Sequence, residues 1–117
     1  MAEQRRVYKL AERIKSAVAL RVPYLSDPRL ELVTITSVQL SKDLRIAKIY
    51  WTVSGGKERI AQAKEGFDAA RRKLRADVSS ALGMRSNPEL RFYYDDTLDV
   101  LEQTGALMDK VKGDDHD

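Results

Sequence analysis

The chain has 117 residues, of which 43% are hydrophobic and 33% charged, enough for one domain around a single modest core. It has no cysteine, which excludes disulfides, thiol catalysis and zinc–thiolate sites and suits a reducing cytoplasm. No stretch reaches membrane-spanning length, and the opening MAEQRRVYKL has no apolar run behind its charges, so no secretory signal is expected.

The net charge of +3 is unevenly distributed. Residues 1–22 carry six Lys/Arg against two Asp/Glu, residues 57–85 eight against four, and residues 93–117 two against eight. A basic body with an acidic end points to a polyanionic partner, nucleic acid first. A membrane surface is disfavoured, because neither basic stretch has an aromatic-rich apolar face.

In chain order, residues 2–22 read as an amphipathic helix. Val7, Leu10, Ala11, Ile14, Ala17, Val18 and Val22 form its stripe, with Arg5, Arg6, Lys9, Arg13 and Lys15 mostly off it. Pro23 ends it. Ser26-Asp27-Pro28-Arg29 predicts a turn. Leu30–Leu40 is rich in β-branched residues and predicts a strand, with Val33 and Ile35 on one face and Leu32, Thr34, Thr36 and Val38 on the other. After a connection of about three residues comes a second strand, Leu44–Val53, the pair making a hairpin. Its Ala47, Ile49, Trp51 and Val53 share one face, with Trp51 as the core anchor, while Ile46, Lys48, Tyr50 and Thr52 share the solvent face.

Ser54-Gly55-Gly56 breaks the strand. From Lys57, the residues Ile60, Ala63, Phe67, Ala70, Leu74, Val78 and Leu82 recur at helical steps, with Arg71, Arg72, Lys73 and Arg75 clustered near the middle. One helix of that length exceeds the usual globular range, so an interruption is expected. Gly83 predicts a C-cap and Asn87-Pro88 a turn. Glu89–Asp95 predicts a third strand with Leu90, Phe92 and Tyr94 on one face. Residues 98–112 predict a short helix, and the closing GDDHD is expected to be disordered. The sum is an α+β two-layer domain, a three-stranded sheet with helices on one face.

Catalytic chemistry finds little support. The one histidine, His116, lies in the acidic end; no serine sits in a G-x-S-x-G elbow and no glycine-rich phosphate loop follows a strand. Asp95 and Asp96 are adjacent and read as turn caps rather than a metal or acid–base pair. No cofactor or metal is expected. The two basic helices offer phosphate contacts, and Arg45, Lys48 and Tyr50 extend the patch along the hairpin.

Four separated runs then carry a resemblance. Asp27-Pro28-Arg29-Leu30, Val33-Thr34-Ile35-Thr36, Leu40 through Tyr50 (LSKDLRIAKIY) and Pro88 through Asp96 (PELRFYYDD) are similar, in order and spacing, to the signature runs of the bacterial ribosome-binding factor A family. The likeness covers roughly residues 5–108. It implies a type II KH-like domain, αββ-α-kink-α-β, over residues 1–108, with an acidic tail at 109–117. It also implies a non-enzymatic, monomeric, cytoplasmic assembly factor that binds the immature 30S subunit and its 16S rRNA and assists late rRNA maturation at low temperature, leaving before translation begins.

Most KH domains clamp nucleic acid with a G-x-x-G loop, which is absent from this chain; the family has a helix kink at an Ala-x-Gly pattern instead. Counted back from Pro88, that alanine is Ala70 and the glycine position is Arg72, a departure from the pattern. The expected RNA contacts are Arg5, Arg6, Lys9, Arg13, Arg45, Lys48, Arg71, Arg72, Lys73, Arg75 and Arg85. The rival readings are a generic single-strand RNA-binding KH-like module with no ribosomal role and a protein-interaction domain, with an enzyme a distant third.

Overall fold

The periodicity at the start of the chain produces α1, Ala2–Arg21, in a computed structural model that describes residues 2–85 and 87–104. Its stripe buries Ala11, Ile14, Ala17 and Val18; full burial of side chains such as Ile14 and Val18 contributes about 1.5–3 kcal/mol each. Pro23 converts the chain to a 3-10 turn, Val22–Leu25, that still buries Val22. A second 3-10 turn, Pro28–Leu30, replaces the expected beginning of the first strand. Asp27 causes it: Oδ1 accepts the Arg29 backbone N–H at 2.9 Å, and the Leu30 N–H donates to the Asp27 carbonyl. The chain then turns through Leu32, at φ 60°, so β1 begins only at Thr34 and runs to Leu40.

β1 pairs antiparallel with β2, Ile46–Thr52, across an irregularity between Ile35 and Ser37. That bulge corrects the expected alternation. Ile35 and Val38 are three apart and would face opposite ways in a regular strand, yet both are buried, because the extra residue resets the pleat. The hairpin connection has five residues, not three. Ser41 Oγ donates to Asp43 Oδ1 at 2.7 Å and accepts the Arg45 and Ile46 N–H groups at 3.1 and 3.0 Å, so the loop's polar backbone is satisfied locally.

β2 alternates as expected, with Ala47, Ile49 and Trp51 fully buried. The Trp51 indole lies 5.2 Å from Phe67 and 5.3 Å, edge-on, from Tyr94. Its Nε1–H meets no acceptor among the described residues. Burying the ring contributes roughly 4–6 kcal/mol, against about 1–3 kcal/mol for an orphaned donor, so the anchor is favourable.

α2 runs unbroken from Gly56 to Leu82; the interruption expected at Ala70 does not occur. Residues 69–74 (Ala-Ala-Arg-Arg-Lys-Leu) are strong helix formers, and with Arg72 at the expected glycine position no proline or glycine remains there to bend the helix. Beyond its first residue, the one glycine of α2 is Gly66. A Cβ there would stand 2.9 Å from Leu30 Cγ and Cδ2 and 3.2 Å from Arg29 Cβ, so Gly66 lets the 28–30 turn press onto the helix. Gly83 ends α2 in the left-handed region at φ 61°, with the Met84 N–H reaching the Ser79 carbonyl.

β3, Glu89–Tyr94, lies parallel to β2, giving the sheet order β1-β2-β3. α1 and α2 cover the face that carries Ala47, Ile49, Trp51 and Leu90, and Phe67 of α2 stacks on Phe92 at 4.5 Å. Residues 97–104 are helical, started by Asp95, whose Oδ1 accepts the Thr97 N–H at 3.0 Å. The rest of the expected 98–112 helix, the 109–117 tail and His116 lie outside the described residues.

Candidate functional site

On α1 the spacing decides the geometry. At about 100° per residue, Arg5, Arg6, Lys9 and Arg13 fall within an arc of about 100°, directed away from the buried stripe. All four are exposed, and none has an ion pair among the described residues. Arg5, Lys9 and Arg13 follow one another at i, i+4, an arrangement that costs the isolated helix a few tenths of a kcal/mol per like-charged pair. Glu12 lies on the same side, without a bridge to any of them.

The basic cluster on α2 fans out rather than forming one knot. Leu74 is fully buried and sets the inward direction. Arg72 therefore points almost straight out, Arg71 and Arg75 share one flank, and Lys73 takes the other. The Arg71 flank meets β3. There the Glu89 carboxylate is held below its ordinary range, chiefly by the Arg91 hydrogen bond and charge, with Arg71 and Arg75 adding to it. Arg75 Nε donates to the Asn87 carbonyl at 3.1 Å, and Ser79 Oγ donates to the Asn87 side chain. Arg75 thus braces the connection into β3, a role beside any ligand contact. Arg85 is exposed on that connection.

Arg45 and Lys48 belong elsewhere. Lys48 alternates with buried Ala47 and Ile49 and projects from the sheet face opposite the helices. Arg45 stands exposed at the hairpin, 4.0 Å from Asp43. The sequence-predicted residues therefore lie on separate surfaces: the α1 strip, the fanned α2 cluster with one flank on β3, the hairpin for Arg45 and, for Lys48, the open sheet face. Two residues outside the expected set belong to the last of these. Arg91 is the register partner of Lys48, and Tyr93 the partner of Tyr50; the pairing follows only from the parallel register of β3, which no local pattern gives.

No group of three or more metal-ligating side chains occurs among the described residues, and no helix among them is long and apolar enough to cross a membrane. Asp95 is a structural group: Oδ2 accepts the Thr36 hydroxyl at 2.6 Å, and this bond, with those from Thr97, holds its carboxyl below the ordinary range.

A small αββαβ domain that displays cations on two helices and one sheet face has the build of a binding module for an extended anionic partner. Its relatives are specific. The family model described as ribosome-binding factor A matches residues 6–108. Ribosome-binding factor A of Desulfatibacillum aliphaticivorans is 38% identical over 104 residues, spanning 88% of this chain and 85% of that one. The crystal structure of ribosome-binding factor A from Thermus thermophilus superposes with a TM-score of 0.67 at 31% identity, over 75% of this chain and 94% of that one. A homology model of Thermus thermophilus ribosome-binding factor A, fitted into a cryo-electron-microscopy map of a 30S complex, matches with a TM-score of 0.65 at 31% identity, over 76% and 94%. The chain belongs to the ribosome-binding factor A family.

Proposed function

We propose that this protein is a small-subunit assembly factor: a KH-like, non-catalytic module that binds the immature 30S particle through 16S rRNA and assists late rRNA maturation. One observation carries the reading beyond family membership. The like-charged series Arg5–Lys9–Arg13, exposed and without ion pairs among the described residues, opposes helix stability. A polyanion lying along α1 removes that repulsion and releases its own counterions in return. The α2 surface, with Arg71, Arg72 and Lys73 exposed in a fan, offers further phosphate contacts. With no G-x-x-G clamp, these side chains rather than a glycine-rich backbone take the phosphates.

The protein then acts in the cytoplasm as a monomer, and its loss is felt most at low temperature. Sucrose-gradient sedimentation of cell extract, followed by crosslinking, tests this. The protein is expected to travel with free small subunits and crosslink to 16S rRNA. Sedimentation only at the top of the gradient would favour a generic single-strand RNA-binding module.

A further inference from the structure

The sheet face opposite the helices has no covering element among the described residues. Tyr50 and Tyr93 sit there as register partners on β2 and β3, their ring centroids 5.7 Å apart with planes inclined at 33°. Tyr93 is 40% exposed and Tyr50 is half-buried. The neighbouring row on the same face pairs Lys48 with Arg91 and ends at Gln39 of β1. Two carboxylates face the same way, and both are already engaged. Glu89 accepts from Arg91 Nε at 2.7 Å, and Asp95 from Thr36 and Thr97.

A cross-strand tyrosine pair alone is ordinary sheet packing. Here it adjoins a cationic row, and that row continues around the β3 edge to Arg71 and Arg75, which lie close enough to act on Glu89. Aromatic rings beside a positive track are what a single strand of nucleic acid uses: bases stack on the rings and phosphates follow the cations.

We propose that the open sheet face binds a short unpaired RNA segment, with bases stacked on Tyr50 and Tyr93 and the adjoining phosphates on Lys48 and Arg91. The exposed Glu89–Arg91 pair is weak enough for a phosphate to share the guanidinium. The inference rests on the RNA-binding reading above, but not on the ribosomal particle as the source of the RNA.

The experiment is fluorescence anisotropy with labelled hexa-uridylate at low salt. The double variant Tyr50→Thr/Tyr93→Thr is expected to bind at least about tenfold more weakly, while Tyr50→Phe/Tyr93→Phe, which keeps both rings, stays near the parent. Equal binding by the threonine variant, or no binding by the parent, overturns the proposal. Should the threonine variant not fold, photocrosslinking of a 4-thiouridine hexamer to the unaltered chain decides. Adducts within residues 46–52 or 89–94 support the platform, and adducts confined to α1 and α2 sink it. Co-sedimentation with small subunits is scored separately. A chain that stacks the hexamer but does not travel with subunits keeps this inference and loses the assembly reading; the reverse pattern keeps only the assembly reading.

Discussion

The turns and the helices of this protein use charge in opposite ways. At 27–29 and 41–46 the two aspartates and the Ser41 hydroxyl close on their own neighbourhood. Asp27 binds the Arg29 N–H and, at 2.7 Å, its guanidinium; Ser41 and Asp43 satisfy the hairpin's amides. Both carboxyls are thereby held below their ordinary range, Asp27 chiefly by the Arg29 side chain and Asp43 chiefly by the Ser41 hydroxyl. On α1 and α2 the cations Arg5, Lys9, Arg13, Arg71 and Arg72 are exposed and have no such closure among the described residues. The difference teaches that the carboxylates and the hydroxyl of the turns make the fold, while these exposed helix cations are left available to a partner.

The largest effect should come from breaking the second half of that contrast. Reversing Arg5, Lys9 and Arg13 together to Glu is expected to weaken small-subunit binding about a hundredfold. It should also flatten the dependence of log affinity on log salt by about 3, one for each phosphate no longer neutralised. Thermal melting should stay level, because none of the three supports the core. A binding loss that tracks a loss of folding would put these residues in the same class as the turns.

Next is Gly66→Val, which touches no exposed cation of the two helices. The added carbons meet Leu30 and Arg29 at the closest approach of turn and helix. Overpacking of this kind costs about 1–3 kcal/mol, read as a lower urea midpoint at unchanged slope, with the salt dependence of binding left as it was. Third is Asp95→Ala, expected to cost about 1 kcal/mol through the missing Thr36 bond and the missing cap on 97–104. Faster amide exchange confined to residues 97–104 and the end of β3 would locate the effect.

Much of this contrast is legible in the sequence, and what is hidden has identifiable physics. The stripe of α1, the alternation of β2, the Trp51 anchor and the Gly83 cap are local patterns, and each appears where its period or its glycine puts it. The bulge at Thr36 is hidden, because an extra residue in a strand is visible only against its partner. So is the role of Gly66, whose neighbour Leu30 is 36 positions away in the chain. The break expected at Ala70 came from a length prior and a family pattern, and the local helix propensity of residues 69–74 outweighs both. The candidate site is legible as a set of cations but not as an arrangement. Helical rotation scatters Arg71, Arg72 and Lys73 over three directions, and strand alternation sends Lys48 to the far face of the sheet.

The smallest expected effect separates the two uses of charge by pH. The Asp95 carboxyl is held low, first by the Thr36 hydroxyl and then by Thr97. A carboxyl with a depressed folded-state pKa contributes stability that is fully present above the ordinary aspartate value of about 4 and is lost as pH falls through the folded value. Asp95→Asn keeps an oxygen that can accept a hydrogen bond but cannot titrate, so it should remove part of the acid-side slope while changing neutral-pH stability little. Binding through the helix cations does not depend on that carboxyl, so RNA affinity should hold as pH falls until the turns' carboxylates protonate and the fold itself loosens. Denaturation midpoints and binding, both followed from neutral pH downward on the parent and Asp95→Asn, check this. An affinity that falls well before stability does would mean that the turn carboxylates, and not only the helix cations, shape the binding surface.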